Sequence, residues 1–262
     1  MRKQSVVRCL RRLALFAAVS VSAAAFAAPA QSDAERMGSE MMNPSTKIPL
    51  AEKSQPGDFK VLIYGNSITQ HAPAKGLGWT NSWGMAASAK EKDFAHLVVA
   101  GLEKRLGKKA EFRIRNIAPY EKDFTKDVTK SKEIAEDAAW APDYVVIAIG
   151  ENSPNVNDSN AAVFTKFLAD IARPFAALKN KPKIVMRSPF WKNPKKAECT
   201  EKAAAEVGAA YVDAGPLGRD PANKAIGLFS HKGVANHPGD LGMKRLADLV
   251  LSGFDSLSEK KK

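Results

Sequence analysis

Two short segments, one near the front of the chain and one near its end, carry the side chains best suited to nucleophilic chemistry. The first is Gly65-Asn66-Ser67-Ile68-Thr69, which follows the apolar run Phe59-Lys60-Val61-Leu62-Ile63-Tyr64 directly. An apolar run ending in Gly-x-Ser predicts a buried strand that turns sharply into a helix. Such a turn leaves the Ser67 hydroxyl at the strand's carboxyl end, where open α/β sheets bind their ligands. A serine hydroxyl is a poor nucleophile near neutral pH and needs an adjacent base. The second segment supplies one, His237, in Asn236-His237-Pro238-Gly239-Asp240-Leu241-Gly242-Met243. The chain has four histidines, and His237 lies in an Asn-His-Pro turn rather than on an apolar helical face. His96 falls inside a helical window and reads as an ordinary core histidine, and His231 is a weaker rival base. Taken alone, Ser67 reads more readily as a helix N-cap than as a nucleophile, and it is the combination with Asn152 and His237 that points to catalysis.

Positioning two such distant groups requires a sheet. Strands are expected at Phe59–Tyr64, Glu111–Ile117, Tyr144–Ile149, Lys183–Ser188 and Ala210–Asp213. Helical windows alternate with them. Phe94, Leu97, Val98, Gly101, Leu102 and Leu106 share one face behind a capping Asp93. Phe164, Phe167, Leu168, Ile171, Phe175 and Leu178 share another, with Pro174 expected to kink the helix. Met243, Leu246, Ala247, Val250, Phe254 and Leu257 form the last. This alternation predicts an α/β fold, a three-layer α/β/α sandwich around a five-stranded parallel sheet of flavodoxin-like type. There is no internal repeat. The expected organisation is a leader over 1–30, a polar tether or strap over 31–58, and one domain over 59–258.

Four segments fall at strand ends or open a helix beside them: Gly65-Asn66-Ser67, Asn116-Ile117-Ala118-Pro119-Tyr120-Glu121, Gly150-Glu151-Asn152-Ser153 and His237-Pro238. Together they resemble the four blocks of the SGNH (GDSL-type) hydrolases, which contribute Ser, Gly, Asn and His in that order. The resemblance spans about residues 59–256. It implies an ester hydrolase in which Ser67 is the nucleophile and His237 the base. The Ser67 backbone N–H and the Asn152 side-chain amide would then hold the oxyanion. Asn66 stands where the family usually has Asp, a common variant. Two departures are larger. The family's aspartate three residues before the histidine is Val234 here, so a Ser–His dyad is expected, or a triad completed by Asp213, Asp240 or a backbone carbonyl. Asp240 also reads as the N-cap of the final helix. The glycine of the second block is Glu121; its backbone N–H remains a candidate oxyanion donor, with its carboxylate expected toward substrate or a nearby cation.

Residues around these blocks are candidates for substrate contact. Trp79 and Trp83, in Gly78-Trp79-Thr80-Asn81-Ser82-Trp83-Gly84, read either as flat faces for a sugar ring or as indoles buried against the sheet. Trp191 has the same two readings. Glu151 and His71 are further candidates, and Thr69 reads more simply as part of a helical turn. Arg187 reads as an ion-pair partner or, less simply, as a contact for an anionic group. The Lys/Glu-rich stretch 193–206 reads as a solvated helix face.

Composition limits the alternatives. Arg2, Lys3, Arg8, Arg11 and Arg12 precede the apolar stretch Leu13–Phe26, and Ala25-Phe26-Ala27 or Ala28-Pro29-Ala30 offers small-residue cleavage sites, so an exported protein is expected, periplasmic or secreted. The apolar stretch is short for a membrane span. Those five basic residues come from a total of 40, leaving 35 against 28 acidic residues, a net charge of +7 without the leader. The basic residues are dispersed and not interleaved with aromatics, which argues against nucleic acid as a partner. Only Cys199 lies outside the leader, so neither a disulfide nor a Cys-rich zinc site is expected, and no metal or cofactor is invoked. The leading expectation is an exported serine esterase that removes O-acetyl groups from a carbohydrate. Alternatives are a lipase or thioesterase of the same superfamily, and a glycan-binding protein that keeps the fold without the chemistry. An O-acetyltransferase would need a membrane partner to supply acyl groups.

Overall fold

The computed structural model describes residues 52–259. The expected leader and most of the expected tether lie outside the described residues. The strands are β1 (Glu52–Lys53), β2 (Phe59–Gly65), β3 (Ala110–Asn116), β4 (Tyr144–Ala148), β5 (Lys183–Arg187) and β6 (Ala210–Val212). They form one sheet in the order β1-β3-β2-β4-β5-β6, parallel except for β1, which pairs antiparallel with β3 through Glu52↔Ile114 and Lys53↔Arg113. The sheet therefore has one strand more than expected. The extra one lies in the segment read as a tether, where two residues are too few to show a strand period.

The helices are α1 (Phe94–Leu106), α2 (Ala118–Glu121), α3 (Lys132–Ala139), α4 (Ala161–Ala176), α5 (Pro194–Val207), α6 (Gly215–Arg219), α7 (Lys232–Ala235) and α8 (Asp240–Glu259). Alternate strand residues point to opposite faces. Val61, Ile63, Val146 and Val185 pack with Phe94, Val98 and Leu102 of α1 and with Met243, Leu246, Val250 and Phe254 of α8. Leu62, Tyr64, Val145, Ile147, Ile184 and Met186 face Ile134 of α3, Phe164, Leu168 and Phe175 of α4, and Cys199 and Ala203 of α5. A sheet covered on both faces explains why the inner strands read as continuous apolar runs rather than alternating ones.

This topology locates the site. From β2 the chain passes to β3 on one side, then returns to β4 on the other side of β2. The loops leaving the carboxyl ends of β2 and β4 therefore diverge and open a crevice between them. Ser67 and Asn152 are on those two loops.

Candidate active site

The turn after β2 depends on Gly65. A Cβ there would lie 1.8 Å from Thr69 Oγ1 and 2.6 Å from Thr69 Cβ, so any side chain would push the turn open. Asn66 closes the turn. Its side-chain Oδ1 accepts from Ile68 N–H at 3.2 Å, and its carbonyl accepts from the N–H groups of Thr69 and Gln70, each at 3.0 Å. The Ser67 N–H stands outside that set. Ser67 itself is buried but not sealed, at 8% exposure.

Across the crevice, α7 presents the histidine. The His231 ring accepts from Val234 N–H and caps this short helix, which accounts for that histidine without a role as base. One turn later His237 Nε2 lies 2.8 Å from Ser67 Oγ, and its Nδ1 lies 2.9 Å from the Gly233 carbonyl. A carbonyl only accepts, so the ring proton belongs on Nδ1. Nε2 is then left with its lone pair aimed at the serine hydroxyl. Burial pushes the imidazole pKa down to about 4, against the opposing hydrogen bond to Gly233, so the ring is neutral at ordinary pH.

Among the described residues no carboxylate hydrogen-bonds this histidine. Val234 is fully buried with Trp79, Met85, Ala86 and Ala225 in a small apolar cluster. Asp213 instead accepts from Ser188 Oγ and Gly215 N–H. Asp240 is not the N-cap of α8 but its first residue, and its carboxylate accepts from Ser88 N–H, Ser88 Oγ and Lys92. Of the orienting groups considered from the sequence, the backbone carbonyl is the one at the ring.

The second half of the site is built from charge. Gly150 ends the β4 loop at φ +116, a conformation that a side chain would strain. Lys196, buried on α5, donates to the carbonyls of Gly150 and Ser153 at 2.9 and 2.7 Å and so fixes this loop from behind. Glu151 does not face substrate. Its side chain is 1% exposed and pairs with Arg187 at 2.9 Å, while also accepting from Phe190 N–H and Asn66 Nδ2. Arg187 is thus an ion-pair partner. Glu121 departs from expectation as well, because its carboxylate points neither to substrate nor to a cation. It is fully buried and accepts from Asn66 Nδ2 (3.0 Å), Gly150 N–H (2.9 Å), Asn152 N–H (2.7 Å) and Asn152 Nδ2 (3.4 Å).

The aromatic candidates divide. Trp79 is 1% exposed and donates to the His71 carbonyl, so of its two readings the buried one holds and it offers no face to a sugar. Trp83 is half-buried, edge-on to Trp79, with its N–H on the Ala87 carbonyl. Trp191 stands perpendicular to the His237 ring, with ring centroids 5.1 Å apart. His71 is buried, with Nδ1 at 2.6 Å from the Ala72 carbonyl, and burial lowers its pKa. Sequence reasoning gives no role to the Asn66 side chain, Gly233 or Lys196. Of the three, Asn66 carries a sequence signal, as the neighbour of Ser67. Among the described residues no group of three or more His, Cys, Asp or Glu side chains converges as a metal site would require.

No protein-family model matches the sequence, and no curated protein matches it. Among solved structures, that of a family two carbohydrate esterase from Cellvibrio japonicus is similar at 13% identity and a TM-score of 0.47. The match covers 80% of this chain and 64% of that one, a little under two thirds of its length. A second crystal structure is similar at 13% identity and a TM-score of 0.45, with 79% of this chain matched to 98% of the other.

Proposed function

We propose that this protein is a serine-dependent carboxylic-ester hydrolase of the SGNH type, exported, and acting on O-acetyl groups of a carbohydrate. The observation that carries the ester chemistry is the Ser67–His237 contact at 2.8 Å, with the proton-bearing Nδ1 held by the Gly233 carbonyl. Ser67 Oγ attacks the ester carbonyl as His237 Nε2 takes its proton. The oxyanion is received by the Ser67 N–H and the Asn152 amide. His237 returns the proton to the departing alcohol, leaving an acyl-enzyme. Water, deprotonated by the same Nε2, then attacks the acyl-enzyme and releases the carboxylic acid and Ser67. Each oxyanion donor is expected to contribute about 3–4 kcal/mol of transition-state stabilisation.

The carbohydrate part is supported by the expected export and by Trp191, whose ring packs edge-on against that of His237. One observation favours a longer acyl chain instead. Ile226 and Leu228 are 58% and 72% exposed on the loop whose Ala225 N–H bonds the His237 carbonyl. The deciding experiment is fluorophosphonate labelling with peptide mapping, together with a chain-length series of nitrophenyl esters. Label on Ser67, abolished by Ser67→Ala and by His237→Ala, is the expected result, with acetyl preferred over octanoyl. Octanoyl preference would assign a lipid ester. Label retained in Ser67→Ala would refute the nucleophile. Neither label nor acetate release from any acetylated glycan would leave a glycan-binding protein.

A further inference from the structure

We propose that Glu121 is a positioning residue of this site: its carboxylate clamps the nucleophile loop to the Gly150–Asn152 loop and sets which end of the Asn152 amide faces the reacting carbonyl oxygen. The inference rests on the esterase reading above and deepens it. All four groups that meet the Glu121 carboxylate are N–H donors, one from the Ser67 loop and three from the loop after β4. The two hydrogens of Asn66 Nδ2 are shared out, one to Glu121 and one to Glu151. Asn152 is held by its backbone N–H and, more loosely, by Nδ2. An amide turned the other way would set its oxygen against a carboxylate, so the carboxylate selects the orientation that keeps Nδ2 in the site with one hydrogen unused.

The ionised form is the one this environment fits. A protonated Glu121 would place an O–H among donors, lose at least one bond, and release the Asn152 amide. The charged groups around it come from several elements. Glu151 is the nearest and is neutralised by Arg187; Lys196 lies behind Gly150 and Ser153; Tyr120 and Lys122 flank Glu121 in sequence; His237 lies beyond Ser67. Burial first, and the Glu151 charge second, raise its pKa to about 7, while His237 sits near 4. An acid limb near neutrality therefore belongs to Glu121 and not to the histidine, as a Ser–His mechanism would ordinarily have it.

The test uses the full chain at pH 4 to 9. The rate of Ser67 labelling by a fluorophosphonate is measured, with kcat and KM for 4-nitrophenyl acetate, for wild type and Glu121→Gln. For wild type, both rates should fall about tenfold per pH unit below about pH 7. In Glu121→Gln the limb should vanish from that range and the plateau kcat should drop about 10- to 100-fold, with KM within about threefold of wild type. If thermal melting shows that Glu121→Gln is unfolded, Asn152→Ala supplies the readout, because removing the positioned amide should abolish the same limb. A wild-type profile flat from pH 5 to 8, a rate that rises on acidification, or a limb retained in the variant would overturn the role of Glu121 while leaving the esterase reading intact. No labelling of wild-type Ser67 at any pH would instead overturn that reading, and this one with it.

Discussion

The two halves of the crevice are held by different physics. Behind His237 lies a dry apolar cluster of Val234, Trp79, Met85, Ala86 and Ala225, and the ring is oriented by a neutral backbone carbonyl. Behind Asn152 lies a buried network of two carboxylates, an asparagine, an arginine and a lysine. Shape fixes the first half, and only the His237 ring within it titrates, well below neutrality. Hydrogen bonding fixes the second, at a cost in desolvation that makes it sensitive to protonation and to loss of any partner. The difference also bears on two positions of the SGNH-like pattern, 234 and 66. Val234 packs in the apolar cluster, and the neighbouring Gly233 carbonyl is the group that meets His237 Nδ1. Asn66 replaces an acid because a third carboxylate between Glu121 and Glu151 would be repelled, whereas an amide has a hydrogen for each.

Restoring an aspartate to each half tests this contrast. Val234→Asp, the apparent repair of the triad, should lose about 4 kcal/mol of stability, because it buries a charge among apolar side chains. Urea unfolding should show the loss, and activity should not rise. A stable Val234→Asp with higher kcat would mean that the apolar half accommodates an acid after all. Asn66→Asp should cost somewhat less, about 3 kcal/mol at pH 8, because the new carboxyl can take up a proton and donate it to one neighbour. That loss should shrink as pH falls toward 5. A deficit independent of pH would show that shape, and not charge, governs this half as well.

The residues of the site were readable in proportion to how locally they are specified. Gly65-Asn66-Ser67 follows a continuous apolar strand, and His237-Pro238 opens a helix with a strong apolar face, so both segments announce their own backbone. The central strands and long helices were legible for the same reason, since burial on one or two faces imposes a period on the sequence. Glu52–Lys53 was not, because a two-residue edge strand has no period and exists only through its pairing with β3. Glu121 and Glu151 were read as substrate-facing because charged residues near a site usually are. Their real partners, Asn66, Arg187 and backbone N–H groups, come from other strands and cannot be paired in one dimension. Trp79 was open to two readings for the same reason: its flanking glycines are compatible with either, and its neighbours from 225 and 234 decide for the buried one.

The halves should also oppose each other in the pH dependence of stability. The depressed pKa of His237 means that the unfolded chain takes up a proton, and the folded one does not, as pH falls from about 6.5 to about 4. Stability on this account rises with pH across that window. Glu121 does the reverse. Its raised pKa keeps the folded chain protonated between about 4.5 and about 7 while the unfolded chain has released the proton, so stability falls as pH rises. The two trends nearly cancel between pH 4.5 and 6.5. Glu121→Gln removes the falling one, and its stability measured against wild type should improve with pH by up to about 1.4 kcal/mol per unit there. Taking the difference between the two proteins cancels His71 and the other titrating groups. A difference that does not change with pH would mean that Glu121 titrates alike in both states.

The smallest effect expected is at a charged histidine outside both halves, which serves as the reference for them. His96 is not an ordinary neutral core histidine: Nδ1 lies 2.8 Å from Asp93, the cap of α1, and Nε2 lies 3.2 Å from Glu52 on β1. Burial alone would lower its pKa, but the two carboxylates prevail and raise it to about 9. Because the folded pKa lies above the unfolded one, the contribution is fully present below about pH 6.5 and disappears as pH rises through 9. Partial exposure limits it to about 1 kcal/mol. His96→Gln should therefore destabilise the protein slightly at pH 6, and not at all by about pH 9.5, in chemical denaturation. It should leave the acid limb assigned to Glu121 where it was. A shift of that limb in His96→Gln would mean that charge spreads across the sheet from β1 to the crevice, and that the site cannot be divided into a packed half and a charged half.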